Sequence, residues 1–133
     1  MKFLSADQVI AMHGQLVDRW GGEEGGGHRG AEYEGVEAAV QAVKSSYYES
    51  AAELAAAYAV YIVQGHVFMD GNKRMGAAAM LTFLIANGGR PVLTRKGVVD
   101  AMLDLQARAE ASEQTDSLVR WLSELLTRRG RST

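Results

Sequence analysis

The sequence has 133 residues, of which 47% are hydrophobic and 23% charged, a composition typical of a globular protein rather than a disordered one. The formal net charge of −2 argues against a nucleic-acid-binding protein. The absence of cysteine excludes disulfides and thiolate chemistry and favours a cytoplasmic location. No apolar run reaches the roughly 20 residues that cross a membrane. A single proline and many alanines predict one all-helical domain over residues 1–133.

The first part of the chain predicts two helices and a loop. Ser5 and Gln8 have the spacing of a capping box, and the apolar stripe behind them predicts a helix that runs up to a group of glycines. Residues 21–30 are glycine-rich and polar, which predicts a loop without the Gly-Lys-Ser/Thr of a phosphate loop. A shorter helix is predicted over residues 34–43. Residues 44–49 lack a helical stripe and form either an extended flap or a loop.

Two apolar helices are predicted in the middle of the chain. Ser50 and Glu53 form a second capping box, which opens a helix over residues 51–64. The next helix covers residues 72–87, with Gly88 as its C-cap. Both are apolar nearly all round, and helices of that kind are buried on every face. We therefore expect a central helix hairpin wrapped by the remaining helices.

The last third of the chain predicts two more helices. The chain turns at residues 88–91, and Thr94 caps a fifth helix that runs to about residue 109. A polar link over residues 110–115 precedes a sixth helix, whose apolar stripe extends from Leu118 to Leu126. The predicted fold is a bundle of about six helices with a central buried hairpin and a short flap.

Charged and titratable residues are dense in the segment between the two apolar helices, residues 66–74. Lys73 and Arg74 fall in the first turn of a helix, where free backbone N–H groups already carry partial positive charge. A bound anion is the simplest way to offset this excess. Gly71 lets the backbone approach closely, so that the first-turn N–H groups can point at phosphate oxygens. The sequence thus predicts a phosphate-binding site at this helix end.

Two further residues of the segment suggest a reaction. Asp70 lies beside the predicted phosphates, where a lone carboxylate commonly holds Mg²⁺ together with phosphate oxygens. A neutral His66 can take the proton from an attacking hydroxyl. This combination suits phosphoryl or nucleotidyl transfer, in which positioning and charge neutralisation account for most of the catalysis.

Each of these residues also has a structural interpretation. Asp70 can serve as an N-cap, Lys73 and Arg74 can be solvated surface charges, and His66 can be an ordinary loop histidine. Phe68 is expected to anchor the segment in the core.

Two histidines outside the segment are expected to be structural or silent. His13 lies on the apolar stripe of the first helix and is interpreted as a buried structural histidine. His28 lies in the glycine-rich loop and is expected to be exposed.

The segment His-Val-Phe-Met-Asp-Gly-Asn-Lys-Arg at residues 66–74 resembles the signature of the Fic/Doc family. It is most similar to the pattern H-x-F-x-D-[AG]-N-K-R of the Doc (death-on-curing) toxin branch. The helical layout and the length agree with that branch, so the resemblance implies a Fic fold. General Fic enzymes carry G-N-G-R-x-x-R and move AMP onto a protein hydroxyl. Here Lys73 replaces the second glycine and Ala77 the second arginine, as in Doc.

The resemblance implies a toxin kinase that transfers the γ-phosphate of ATP to a threonine of elongation factor Tu and blocks translation. His66 would then be the general base, and Asp70 would orient Mg²⁺. The phosphates would be held by four consecutive residues: Gly71, Asn72, Lys73 and Arg74. The flap that positions the target would lie near residues 41–48.

The resemblance also implies a separate inhibitor, an antitoxin of the Phd type with a segment that folds as a helix in a groove on the toxin. The inhibitory pattern [ST]-x-x-x-E-[GN] of many Fic proteins is not matched, because Ser45 and Glu49 are followed by Ser50. Two other functions stay open from the residues alone. One is a Fic nucleotidyltransferase that adds AMP to a protein hydroxyl, and the other is an inactive helical binding module.

Overall fold

The computed structural model describes residues 1–20, 30–68 and 71–127, with backbone alone at residues 16–20, 30 and 31. These ranges hold six α-helices and no strand, which confirms the predicted all-helical class. The helices are α1 (Ala6–Trp20), α2 (Gly30–Ser45), α3 (Ala51–Gln64), α4 (Asn72–Ala86), α5 (Arg95–Glu110) and α6 (Thr115–Thr127). None of the helices described here is both long and apolar enough to cross a membrane.

Helix α3 is the centre of the bundle, and the other helices that touch it are α2, α4, α5 and α6. Nearly all of its residues from Leu54 to Val63 are buried, as expected for a helix that is apolar all round. Its closest neighbour is α4, at Gly76. A Cβ atom at Gly76 would lie 3.0 Å from a methyl carbon of Val63 and 3.5 Å from the Cα of Ala59. The small residues thus allow the two central helices to approach closely, and the predicted hairpin is confirmed.

Helix α4 is buried on one side only, so the prediction that it is buried on every face was wrong. Met75, Met80 and Phe83 are buried, whereas Thr82 is exposed and Ile85 is 60% exposed. The four exposed residues of the helix are an arginine, a threonine, an isoleucine and an alanine. Single apolar side chains are common on protein surfaces, so an apolar residue in the pattern does not require a cover.

Capping residues set the start of three helices as predicted. At α1, the Gln8 N–H donates to Ser5 Oγ at 3.1 Å, and the Ser5 N–H donates to Gln8 Oε1 at 2.8 Å. At α3, Ser50 and Glu53 form the same reciprocal capping box. At α5, Thr94 Oγ1 accepts from the backbone N–H of the third helical residue at 3.0 Å.

Helix α2 is longer than its apolar stripe predicts. It begins at Gly30 rather than at about residue 34, and it ends at Ser45. The stripe becomes visible only at Val36, because the first turn is polar and carries Glu32. Of the predicted glycine-rich loop, residues 21–29, including the predicted exposed histidine, lie outside the described residues.

The predicted flap over residues 41–48 is wrong in its first half. Residues 41–45 continue helix α2, where Gln41 Nε2 donates to Ser45 Oγ at 2.8 Å. The non-helical connection between α2 and α3 consists of residues 46–50, and it contains no strand. We call residues 46–50 the α2–α3 connection.

Helix α4 ends in a Schellman motif, in which the two residues after the C-cap donate back to the last turn. The N–H of Gly88 donates to the carbonyl of Ile85 at 3.1 Å, and that of Gly89 to the carbonyl of Leu84 at 2.8 Å. The C-cap is Asn87, so the predicted C-cap at Gly88 was one residue late. Gly88 takes the following position, with φ 87°, where a left-handed backbone favours glycine.

Replacing Gly88 with alanine is expected to lower the free energy of unfolding by about 1 kcal/mol, since an L-residue is strained in the left-handed conformation. No heavy atom lies within 4 Å of the new Cβ position, so backbone strain is the cause. Gly14 is the matched control, because it lies inside α1 and also has nothing within 4 Å. Gly14→Ala is expected to raise that free energy by about 0.5 kcal/mol. Urea denaturation measures both changes, and equal destabilisation by the two variants would contradict the assignment.

Candidate active site

His66 lies in a strained position just after the end of α3. Its N–H donates to the carbonyl of Val63 at 3.3 Å, and the N–H of Val67 donates to the carbonyl of Ile62 at 3.4 Å. With Gly65 as the C-cap, this is a second Schellman motif. His66 has φ 47° and occupies the left-handed position that is usually glycine. A strained residue with an exposed side chain is typical of functional sites.

The first backbone N–H groups of α4 have no acceptor within the helix, as the sequence predicts. The first helical hydrogen bond runs from Met75 N–H to the carbonyl of Gly71 at 2.8 Å, so the N–H groups of residues 72–74 have no acceptor within the helix. The N-cap is Gly71, with φ 83°, and it has no side chain to satisfy them. Asp70, the other N-cap candidate, lies outside the described residues.

The first turn of α4 is electropositive. It contains no acidic residue, and the partial charge of the helix end adds to the two basic side chains that follow Asn72. Lys73 is half-buried and Arg74 is exposed. Neither forms an ion pair with a carboxylate among the described residues. This helix end can therefore accept a polyanion without first breaking such a pair.

Asn72 closes the loop on which His66 lies. Its Oδ1 accepts from the backbone N–H of Phe68 at 2.9 Å, and its Nδ2 donates to the carbonyl of Phe68 at 2.7 Å. The side-chain amide keeps one further N–H and one lone pair, so it can still contact a ligand. Asn72 thus has a structural task that the sequence does not reveal.

A cavity of about 360 Å³ brings most of the predicted site residues together. It is lined by Val63, His66, Gly71, Asn72, Lys73, Arg74 and Gln106. Phe68 does not line it and is buried, with 3% of its surface exposed. Gln106 belongs to α5 and was not predicted, because no motif marks it and only the packing of α5 brings it here.

The described residues hold no group of three or more His, Cys, Asp or Glu side chains that could bind a metal ion. The predicted magnesium ligand, Asp70, lies outside those residues. Mg²⁺ in nucleotide sites usually takes one or two carboxylates and completes its shell with phosphate oxygens and water. A single carboxylate is therefore sufficient, on the protein side, for Mg²⁺ that arrives with a nucleotide.

The α2–α3 connection is tied to the start of α6 by two tyrosines. Tyr47 Oη and Tyr48 Oη both donate to Asp116 Oδ1, at 2.6 and 2.9 Å, and Arg120 Nε donates to Asp116 Oδ2 at 2.7 Å. These three hydrogen bonds, of which the one from Tyr47 has the largest effect, lower the pKa of Asp116 to about 2. Burial and the bond to Asp116 raise the pKa of Tyr48. None of these residues lines the cavity.

The Asp116 contacts predict a specific loss of stability in acid. The folded-state pKa of Asp116 is depressed, so its contribution is present above about pH 4 and is lost as the pH falls towards about 2. Asp116→Asn should therefore flatten the fall of the melting temperature between about pH 4 and pH 2. Tyr47→Phe, which removes the strongest donor, should give an intermediate slope. Thermal melts followed by circular dichroism test this, and identical slopes for all three proteins would contradict it.

Two comparisons with known proteins identify the family of this chain. A family model described as the Fic/DOC family matches residues 3–84, and this range contains His66 and the whole first turn of α4. The chain therefore belongs to the Fic/DOC family. It is 36% identical over 90 residues to the protein kinase doc of Escherichia phage P1, an alignment that covers 66% of this chain and 70% of that protein.

Proposed function

We propose that this chain is a Doc-like toxin kinase that transfers the γ-phosphate of ATP to a threonine hydroxyl of elongation factor Tu and thereby blocks translation. The observation that carries the proposal is the cavity in which His66 faces the electropositive start of α4. The name of the phage P1 relative, a protein kinase, supports phosphate transfer. The family resemblance of the segment over residues 66–74 supports the target.

The phosphates of ATP would lie at the start of α4. The N–H groups of residues 72–74 would point at phosphate oxygens, and Lys73 and Arg74 would add charge-assisted bonds. Lys73 adds charge and bulk where AMP-transferring relatives have glycine, and Ala77 removes a bidentate arginine clamp. These two changes would reverse the nucleotide, so that the γ-phosphate rather than the α-phosphate faces the acceptor.

The transfer itself would need one base. The imidazole of His66 would take the proton from the threonine hydroxyl as the oxygen bonds to the γ-phosphorus, and the bond from that phosphorus to the bridging oxygen of ADP would break. Asp70 would hold the Mg²⁺ of the nucleotide, which neutralises phosphate charge when it is bound. The left-handed backbone of His66 sets the direction in which its side chain leaves the chain. Asn72 holds the loop that follows His66 through its hydrogen bonds to Phe68.

A transfer assay with two labels tests the proposal. Purified elongation factor Tu is incubated with the protein and with ATP labelled at either the α- or the γ-phosphate. The kinase predicts label from the γ-position alone, and only with intact His66. Label from the α-position alone would instead identify a nucleotidyltransferase that adds AMP. Failure of both labels, together with equal bacterial growth on expression of wild type and His66→Ala, would identify a binding module without activity.

An inhibitor in trans is part of the proposal. The chain offers no match to the inhibitory pattern of other Fic proteins, and Ser45 ends α2 while Glu49 lies in the α2–α3 connection. The two residues thus do not share an inhibitory helix. A Phd-type antitoxin would supply this function, and its co-expression should restore bacterial growth.

A further inference from the structure

His13 is a buried histidine that the proposed reaction does not use. It lies on α1, has 5% of its surface exposed, and is the one polar residue in the buried set of the described chain. Its ring stacks on the ring of Phe68, with centroids 3.9 Å apart and planes 10° from parallel. A Cβ atom at Gly71 would lie 3.8 Å from His13 Nε2. His13 therefore contacts the connection between α3 and α4 at two points, at Phe68 and at Gly71.

His13 and Asn72 both hold Phe68, but through different contacts. Asn72 holds the backbone of Phe68 through two hydrogen bonds, and His13 holds the ring of Phe68 by stacking. No buried side-chain nitrogen or oxygen among the described residues lacks a hydrogen-bond partner, so His13 is accommodated as a polar group as well as a flat ring. Phe68 is thus fixed at its backbone and at its ring, two residues after His66 and three before Gly71.

We propose that His13 is a positioning residue for the candidate active site. Its ring packs against Phe68 and Gly71, and these contacts set the position of the first turn of α4 relative to His66. His13 does not line the cavity and acts only through those two neighbours. The kinetic part of this inference rests on the proposed kinase function, whereas its structural part does not.

Substitutions at His13 separate positioning from plain stability. His13→Ala removes the stack, and a displacement of about 1 Å in an active site can cost about 100-fold in rate. We expect kcat to fall by about that factor while the KM for ATP changes less than about threefold. His13→Phe keeps a flat ring on Phe68 and should recover kcat to within about tenfold of wild type. If His13→Ala does not fold, His13→Leu, which is apolar and bulky but not flat, replaces it with the same expectation.

Val9→Ala is the matched control, because Val9 lies one helical turn earlier on α1 and is also buried. It should lower the melting temperature but leave kcat per folded molecule within about twofold of wild type. Equal losses of kcat in Val9→Ala and His13→Ala, or an unchanged kcat in His13→Ala, would overturn the proposal.

A second readout needs no activity. The residual dipolar couplings of the amide NMR signals of Gly71 and Asn72 report N–H orientation and not the loss of the His13 ring current, and these couplings should change in His13→Ala but not in Val9→Ala. If wild type transfers no phosphate, the proposed kinase function fails while these couplings still decide the role of His13. Unchanged couplings in His13→Ala would overturn the positioning role even in an active kinase.

Discussion

His66→Gly is expected to remove most of the phosphate transfer activity while leaving the protein at least as stable as wild type. A general base typically contributes 10²–10⁴-fold in rate, so we expect kcat to fall by about 10³-fold. The fold should not suffer, because His66 has φ 47° in a Schellman motif and glycine is the usual residue there. The relief of strain, up to about 1 kcal/mol, is partly offset by the greater freedom of glycine in the unfolded chain.

Two controls accompany this variant. His66→Ala should lose as much activity but keep the left-handed strain, so its free energy of unfolding should lie below that of His66→Gly. Gly88→Ala creates strain at the corresponding position of α4 and should leave kcat unchanged. Urea denaturation and the γ-phosphate transfer assay give both quantities. Activity of His66→Gly within tenfold of wild type would exclude the histidine as the base.

Asn72→Ala is expected to reduce both stability and activity. The substitution leaves the N–H and the carbonyl of Phe68 without their partner, and an unsatisfied, partly buried polar group costs about 1–3 kcal/mol. We expect a total loss of about 2 kcal/mol in the free energy of unfolding. The loop between His66 and α4 would also lose its closure, so kcat should fall by at least about 100-fold, as for other misplaced active-site groups.

Asn87 provides a matched control at the other end of α4. Its Nδ2 donates to the carbonyls of Phe83 and Lys2, at 2.9 and 3.1 Å, and its Oδ1 accepts from the N–H of Lys2 at 2.6 Å. Asn87→Ala therefore removes similar amide bonds far from His66 and should destabilise the protein without changing kcat per folded molecule. An equal loss of kcat in the Asn87 and Asn72 variants would mean that Asn72 has no special part in the site.

The sequence predicts those parts of the fold that local interactions decide. Helix α3 has the predicted bounds because Ser50 and Glu53 form a capping box within four residues of each other. The start of α2 was missed because its first turn is polar and shows no stripe. The burial of α4 was overestimated because an apolar residue such as Ile85 can also lie on the surface, which the pattern alone does not show.

The sequence also predicts which residues line the cavity, but not the structural contacts that those residues make. His66 and residues 71–74 line it, because a short loop between two packed helices must bring its ends together. The reciprocal bonds of Asn72 to Phe68 depend on the exact path of that loop, which no spacing rule gives. The stack of His13 on Phe68 joins residues 55 positions apart in the chain, and Gln106 reaches the cavity only through the packing of α5.

An NMR titration tests whether the start of α4 binds the phosphates of ATP. A ¹⁵N-labelled protein is titrated with magnesium and a non-hydrolysable ATP analogue, and then with adenosine. We expect the triphosphate to shift the amide signals of Gly71, Asn72, Lys73 and Arg74 in a saturable way, whereas adenosine should leave them in place. Shifts confined to other parts of the chain, or no saturable shift with the triphosphate, would contradict phosphate binding at this helix end.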